Sequence, residues 1–279
     1  MRLRKKTCPL LLLLQFCFLS IPTYAEPSQY TSWWQGYVDG IGQNFIGSYS
    51  GYNALRHAGA MGSTYLLVEH DIDQRYYDFF DNNEELQLFT FPAVIIGGLG
   101  AVALPAYMHR KGHEENDRQM QFAAYAVGQS VILSVSVTSI YKAFTGRSGT
   151  DINEEGHGSD DSHNFKFGFM RNGIFSGWPS GHATTAISVA TSLTHMYPER
   201  KSDHLLWALG GLYIAMGIST NIHWLSDATS GILIGYGIGK TVGEHYYSEY
   251  RNQEKANRNI NYYPIASDKA VGLGMIAQF

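Results

Sequence analysis

Two stretches decide the reading of this chain: Gly177-Trp178-Pro179-Ser180-Gly181-His182 and Ser219-Thr220-Asn221-Ile222-His223-Trp224-Leu225-Ser226-Asp227. Each carries the chain from a polar loop into an apolar run, so each predicts the start of a buried helix. His182 follows a Pro-Ser-Gly turn and precedes the uncharged run from Ala183 to Pro198. A phosphate at such a helix start meets the Ser180 hydroxyl, backbone N–H groups near Gly181 and the positive end of the helix dipole. In the second stretch His223 and Asp227 lie four residues apart, one helical turn, so the carboxylate can fix the imidazole tautomer and leave the other ring nitrogen free to attack. Lys142-Ala143-Phe144-Thr145-Gly146-Arg147 closes a further uncharged run and supplies two cations that suit a phosphate dianion.

With these residues in place, the chain resembles the type 2 phosphatidic acid phosphatase and vanadium haloperoxidase superfamily. That family carries Lys-x6-Arg-Pro, then Pro-Ser-Gly-His, then Ser-Arg-x5-His-x3-Asp. Here Pro179 to His182 complete the second motif, and His223 with Asp227 complete half of the third. The resemblance implies an all-α helical bundle, with His223 as nucleophile, Asp227 as its orienter and His182 as the acid for the leaving alcohol. It also implies that Lys142, Ser180 and the Gly181 N–H hold the phosphate, and that no cofactor or metal is needed. Gly149 and Gly217 stand where the family has arginines. Arg147 and Arg171 are the nearest guanidinium groups in sequence to the phosphate-binding turns, and are expected to replace those arginines as phosphate ligands.

The composition agrees with an envelope enzyme. Of 279 residues only 16% are charged and 14% are aromatic, against about 25% charged in soluble proteins. A net charge of −4, with no basic stripe, gives no reason to invoke nucleic acid. Residues 1–25 read as a secretory signal or retained signal anchor: Arg2, Arg4, Lys5 and Lys6, an apolar run from Pro9 to Ile21, then Thr23-Tyr24-Ala25. Cleavage after Ala25 removes both cysteines, so no disulfide is expected.

The rest divides into an aromatic and polar leader (26–88) expected on the outer face of the bundle, a phosphatase-like core (89–245), and a polar tail (246–279) with a short strand from Ala270. Five windows lack charged residues: Leu86 to His109, Gln119 to Tyr141, Asn172 to Pro198, Leu205 to Ser226 and Ala228 to Gly239. The first four reach the ~20 residues needed to span a bilayer, and placing the Arg110, Lys111 and Arg118 loop and the Arg200-Lys201 turn in the cytoplasm puts all three motifs on the periplasmic side. The expectation is therefore an inner-membrane phosphatase acting on lipid phosphates or pyrophosphates. A mean hydropathy of −0.17 keeps a soluble periplasmic acid phosphatase open, and the two glycines at the arginine positions keep open a non-catalytic binding or scaffold protein with the same fold. The acidic run from Asp151 to Asp161 copies the start of a calcium loop, but Ser162 stands where a bidentate Glu is needed, so it reads as a solvated loop.

Overall fold

The computed structural model describes residues 32–150, 161–174, 177–257, 260–267 and 270–277. The signal segment and the acidic loop at 151–160 lie outside the described residues.

The chain is a helical bundle. Short helices α1 (Gln35–Val38) and α2 (Ile41–Tyr49) lead into α3 (Tyr52–Glu69) and α4 (Ile72–Asp81). A composite rod follows: a 3-10 turn (Glu84–Phe89), α5 (Thr90–Ile95), a π-helical turn (Ile96–Gly100) and α6 (Ala101–Glu114). The core is α7 (Arg118–Thr145), α8 (Gly181–Met196), α9 (Lys201–Ser219) and α10 (Leu225–Asn257). A two-stranded antiparallel hairpin, β1 (Ile260–Ser267) and β2 (Ala270–Ala277), ends the chain, with Ile260 opposite Ala277 and Ser267 opposite Ala270.

The central contact is between α8 and α10, and it is made by backbone. Gly231, Gly235, Gly239 and Gly243 recur every fourth residue along α10, and a Cβ on any of them would run into α8. At Gly231 it would lie 2.9 Å from the Ser180 carbonyl oxygen and at Gly243 2.9 Å from that of Ser192, while at Gly235 and Gly239 it would collide with the Thr184 and Ser188 carbonyls. The partner residues also recur every four, so two helices pack with almost nothing between them, as small residues at four-residue spacing allow. Ser and Thr on α8 fit this contact because their hydroxyls turn inward onto their own helix: Thr184 donates to Ser180 O at 2.8 Å and Ser188 to Thr185 O at 2.9 Å. Helix α7 packs on the same pair through buried Ser134, whose hydroxyl lies 2.8 Å from that of Ser188.

Two expectations about boundaries change. Helix α10 runs unbroken from Leu225 to Asn257, so nothing divides core from tail at residue 245. The leader is not confined to the outer face: α3 buries Asn53, His57, Ala60, Thr64 and Val68, and Asn53 Nδ2 donates to Thr241 Oγ1 of α10 at 2.9 Å.

By length and composition two helical stretches among the described residues are apolar enough to cross a membrane, Glu84–Glu114 and Arg118–Thr145. The third window yields only a 16-residue helix because residues before Gly181 are spent on the turn, and α8 is enclosed by its neighbours. The helix over the fourth window, α9, starts earlier at Lys201, so Asp203 and His204 dilute it together with the paired glycines Gly210 and Gly211. Even so, large apolar side chains stand outward around the bundle: Leu55 and Tyr65 on α3, Phe91, Ile96 and Leu99 on the composite rod, Val135 on α7, and Leu205, Leu206 and Leu209 on α9.

Candidate active site at the joined helix heads

The contact between α8 and α10 brings their N-terminal turns together. The Ser180 N–H donates directly to the Asp227 carbonyl oxygen at 3.0 Å, joining the Pro-Ser-Gly-His turn to the His-x3-Asp turn. The loop after α7 is stitched to both. Trp224 Nε1 donates to Ser148 O at 3.0 Å, Thr145 Oγ1 to Trp178 O at 3.2 Å and Asn172 Nδ2 to Arg147 O at 3.2 Å. Gly177 has a φ of +86° and lies so close to the Arg147 carbonyl that no side chain fits there.

His223 and Asp227 form the expected pair. His223 Nδ1 is 3.2 Å from Asp227 Oδ2, and both side chains are buried. With the Nδ1 proton held by the carboxylate, the Nε2 lone pair is the reactive one. Burial alone pushes the Asp227 carboxyl up; the Arg147 guanidinium and the His223 ring outweigh that and hold it below the ordinary carboxylate range.

Ser180 caps α8, its hydroxyl accepting from the Ala183 N–H at 3.3 Å, and the side chain is wholly buried. A Cβ on Gly181 would stand 3.9 Å from Lys142 Nζ, so this glycine leaves the first turn of α8 open to that ammonium. Lys142 is buried in the last turn of α7. His182, on the first turn of α8 and outside both candidate spans, is pushed down to about 4 by burial, with the neighbouring charges of His223 and Lys142 adding to the effect. Lys142, His182 and His223 therefore converge on one place. The π-helical turn covers His182: a Cβ on Gly97 would lie 3.5 Å from His182 Cδ2 and one on Gly98 3.8 Å from Nε2. Such turns inside α-helices are frequent at functional sites, and here the paired glycines leave room beside the ring.

Arg147 departs from the sequence expectation of a phosphate ligand. It is fully buried and all its N–H groups are committed. Nη1 donates to Asp227 Oδ1 at 2.6 Å and to Ser226 Oγ at 2.7 Å; Nη2 donates to Asp73 Oδ2 and Ser162 O, each at 2.7 Å; Nε donates to Ser162 O at 3.1 Å. No donor remains for a phosphate. Arg147 is the partner of the carboxylate that orients His223. Arg171 is exposed, and its side chain lies along Gly168 in a loop whose backbone caps the end of α7, Gly168 N–H donating to Phe144 O and Met170 N–H to Ala143 O.

The position of the second family arginine has a packing explanation. A Cβ on Gly217 would lie 2.7 Å from Ala93 Cβ and 3.1 Å from Phe89 O, so α9 and the composite rod meet where an arginine would have to stand. Asp73, on the first turn of α4, is the residue that the sequence reading missed. It is fully buried and accepts from Arg147, from the Ser226 N–H at 2.8 Å and from the Ser226 hydroxyl. It lies in the leader, about seventy residues before Arg147, with no motif around it to mark it.

The model of the PAP2 superfamily matches residues 123–250, which hold Lys142, the Pro-Ser-Gly-His turn and the His223–Asp227 pair. The helical core belongs to the PAP2 superfamily. Members of that superfamily are generally phosphatases, and a phosphatase-like enzyme is the class this core supports. No curated protein and no solved structure matches the chain. Asp73 and the π-helical turn lie outside the matched residues of this PAP2 core.

Proposed function

We propose that the protein is a metal-independent phosphatase that removes phosphate from lipid phosphate or pyrophosphate esters at the periplasmic face of a membrane. The observation that carries this is the buried His223–Asp227 pair fixed beside His182 and Lys142 by the direct bond between Ser180 and Asp227. His223 Nε2 attacks phosphorus as the ester P–O bond breaks, and the departing oxygen takes a proton from His182. Water then attacks the phosphohistidine, its proton passing back to His182, and inorganic phosphate leaves. Lys142, the Gly181 N–H and the positive end of α8 offset the charge on the phosphoryl oxygens. His182 is neutral in the free site, so the substrate dianion itself draws in the proton that the leaving group needs.

A lipid substrate is supported by the large apolar side chains that stand outward on α3, the composite rod and α9, side chains suited to contact with lipid. The orientation is supported by charge. The Arg110, Lys111 and Arg118 turn and the Arg200-Lys201 turn share one end of the bundle, where Gln119 Nε2 donates to Met196 O at 2.7 Å, while the site occupies the other end of α7.

Phosphate release from dioctanoyl phosphatidate and from p-nitrophenyl phosphate, in detergent with EDTA, tests the reading. Wild-type protein is expected to hydrolyse the lipid in preference, and His182→Ala to accumulate an acid-labile, base-stable phosphoenzyme. Equal phosphoenzyme from His223→Ala would remove the assignment of the nucleophile. The loss of both family arginines favours a second reading, an oxyanion-binding protein without turnover; binding of phosphate with no release from either ester would establish it.

A further inference from the structure

Resting on the phosphatase reading above, we propose that Asp73 is a positioning residue for His223, acting through Arg147 from a helix that the superfamily match does not include. The geometry is a relay. Asp73 Oδ2 and Ser162 O hold Arg147 Nη2, so the guanidinium meets Asp227 with Nη1 alone, at Oδ1. Oδ2 is thereby left to His223 Nδ1. Guanidinium and carboxylate pair most readily as a two-pronged fork. Without Asp73 the Arg147 side chain is free to close that fork on Asp227 and take the oxygen that orients the imidazole.

Charge points the same way. The buried cluster holds two carboxylates, Asp73 and Asp227, and one guanidinium, all three side chains inaccessible to solvent. Arg147 compensates one carboxylate, and the remaining negative charge falls on the side of His223. The groups facing His223 are Asp227 from the first turn of α10, Lys142 from α7 and His182 from α8; Arg147 and Asp73 stand behind Asp227. Asp71 is paired with His163 at 3.6 Å on the exposed rim. Among these, Asp73 offsets the cations Lys142 and Arg147, and its removal leaves the imidazole among uncompensated positive charge. Helix α4 is further anchored to the site by Tyr77 against Trp224, ring centroids 5.6 Å apart, and by Tyr76 Oη 3.0 Å from Ser219 Oγ.

The test is Asp73→Asn, which keeps shape and removes charge. In the full-length protein, kcat on p-nitrophenyl phosphate is expected to fall about tenfold or more with KM little changed, and the His223 ring, followed by NMR of 13C-labelled histidine and assigned against His223→Ala, to titrate about one pH unit lower. The double variant Asp73→Asn/Arg147→Met removes the guanidinium as well, leaves Asp227 to His223 alone, and is expected to shift the same ring upward. A merely structural Asp73 predicts lowered melting temperature and activity reduced equally at every pH, with the ring titrating as in wild type; that result overturns the proposal. Should Asp73→Asn not fold, the double variant decides, an upward shift supporting the relay and an unshifted ring refuting it. If wild-type protein hydrolyses neither ester, the phosphatase reading falls, while the ring titration still decides the role of Asp73.

Discussion

Replacing Arg147 by Ala separates a phosphate ligand from a buried structural cation. A ligand lost from the transition state lowers kcat/KM by about 10- to 100-fold, from a charge-assisted bond of roughly 1.5–3 kcal/mol, and leaves the fold alone. The structure predicts something different. Arg147 makes ion pairs of 2.7 Å to Asp73 and 2.6 Å to Asp227, and all three side chains are inaccessible to solvent. Removing the cation strands two carboxylates, and breaking a buried pair in this way costs about 3–5 kcal/mol. For a domain of this size each kcal/mol moves the midpoint by roughly 2–4 °C, so a fall of about 6–20 °C is expected. The assay is a thermal melt in detergent followed by tryptophan fluorescence, run beside steady-state kinetics. Arg147→Lys keeps the charge but cannot reach Asp73, Asp227 and Ser162 together, and belongs between the two. An Arg147→Ala protein that melts with wild type and shows only a raised KM would refute the reasoning.

Inhibition by sulfate, whose charge is constant across the range, reports the protonation of His182. The free ring is pushed down to about 4 by burial and by His223 and Lys142, so the free site is neutral there at pH 6.5 and a bound dianion favours the proton. Linkage then predicts sulfate affinity rising as pH falls from about 6.5 toward 4, by at most about tenfold per unit, with the dependence lost in His182→Ala; a flat profile in wild type contradicts it. Gly235→Ala places a methyl group against the Thr184 carbonyl and is expected to cost about 1–3 kcal/mol while reducing kcat by up to about 100-fold through misplacement of the two helix heads. Stability lowered with kcat untouched would show that the heads hold their places without that contact.

The residues that meet at the candidate site were legible because their signals are local. Pro179 to His182 and His223 to Asp227 are short runs in which turn, cap and helical spacing sit beside the reactive groups, and the bundle class followed from the apolar runs after them. What could not be read was whatever depends on distance in space. Arg147 looked like a phosphate ligand because it follows Lys142 closely, yet the loop turns it inward onto carboxylates from two other helices. Asp73 had no sequence signal at all, since nothing in Ile72-Asp73-Gln74 distinguishes a buried acid from a solvated one. The glycines of α10 were visible as composition, but their meaning needed the matching four-residue recurrence of Ser180, Thr184, Ser188 and Ser192 on α8. The windows without charge overstated the number of long apolar helices because turns such as Gly177 to Ser180 carry no charge either.

That glycine contact also works as an indexing device. Two helices touching through side chains can creep past one another as rotamers adjust, whereas carbonyls seated against glycines offer discrete notches one helical turn apart. Four residues of helix advance about 6 Å, twice the length of the bond between Ser180 and Asp227, so the neighbouring notch would uncouple the two histidines altogether. The alignment of His223 and His182 is thus inherited from a seam of glycines against carbonyls, with the His195–Glu244 pair at its far end as the titratable groups beside it. Acid, salt or an incoming ester can change the charges at the mouth of the site without loosening the ratchet that sets their spacing.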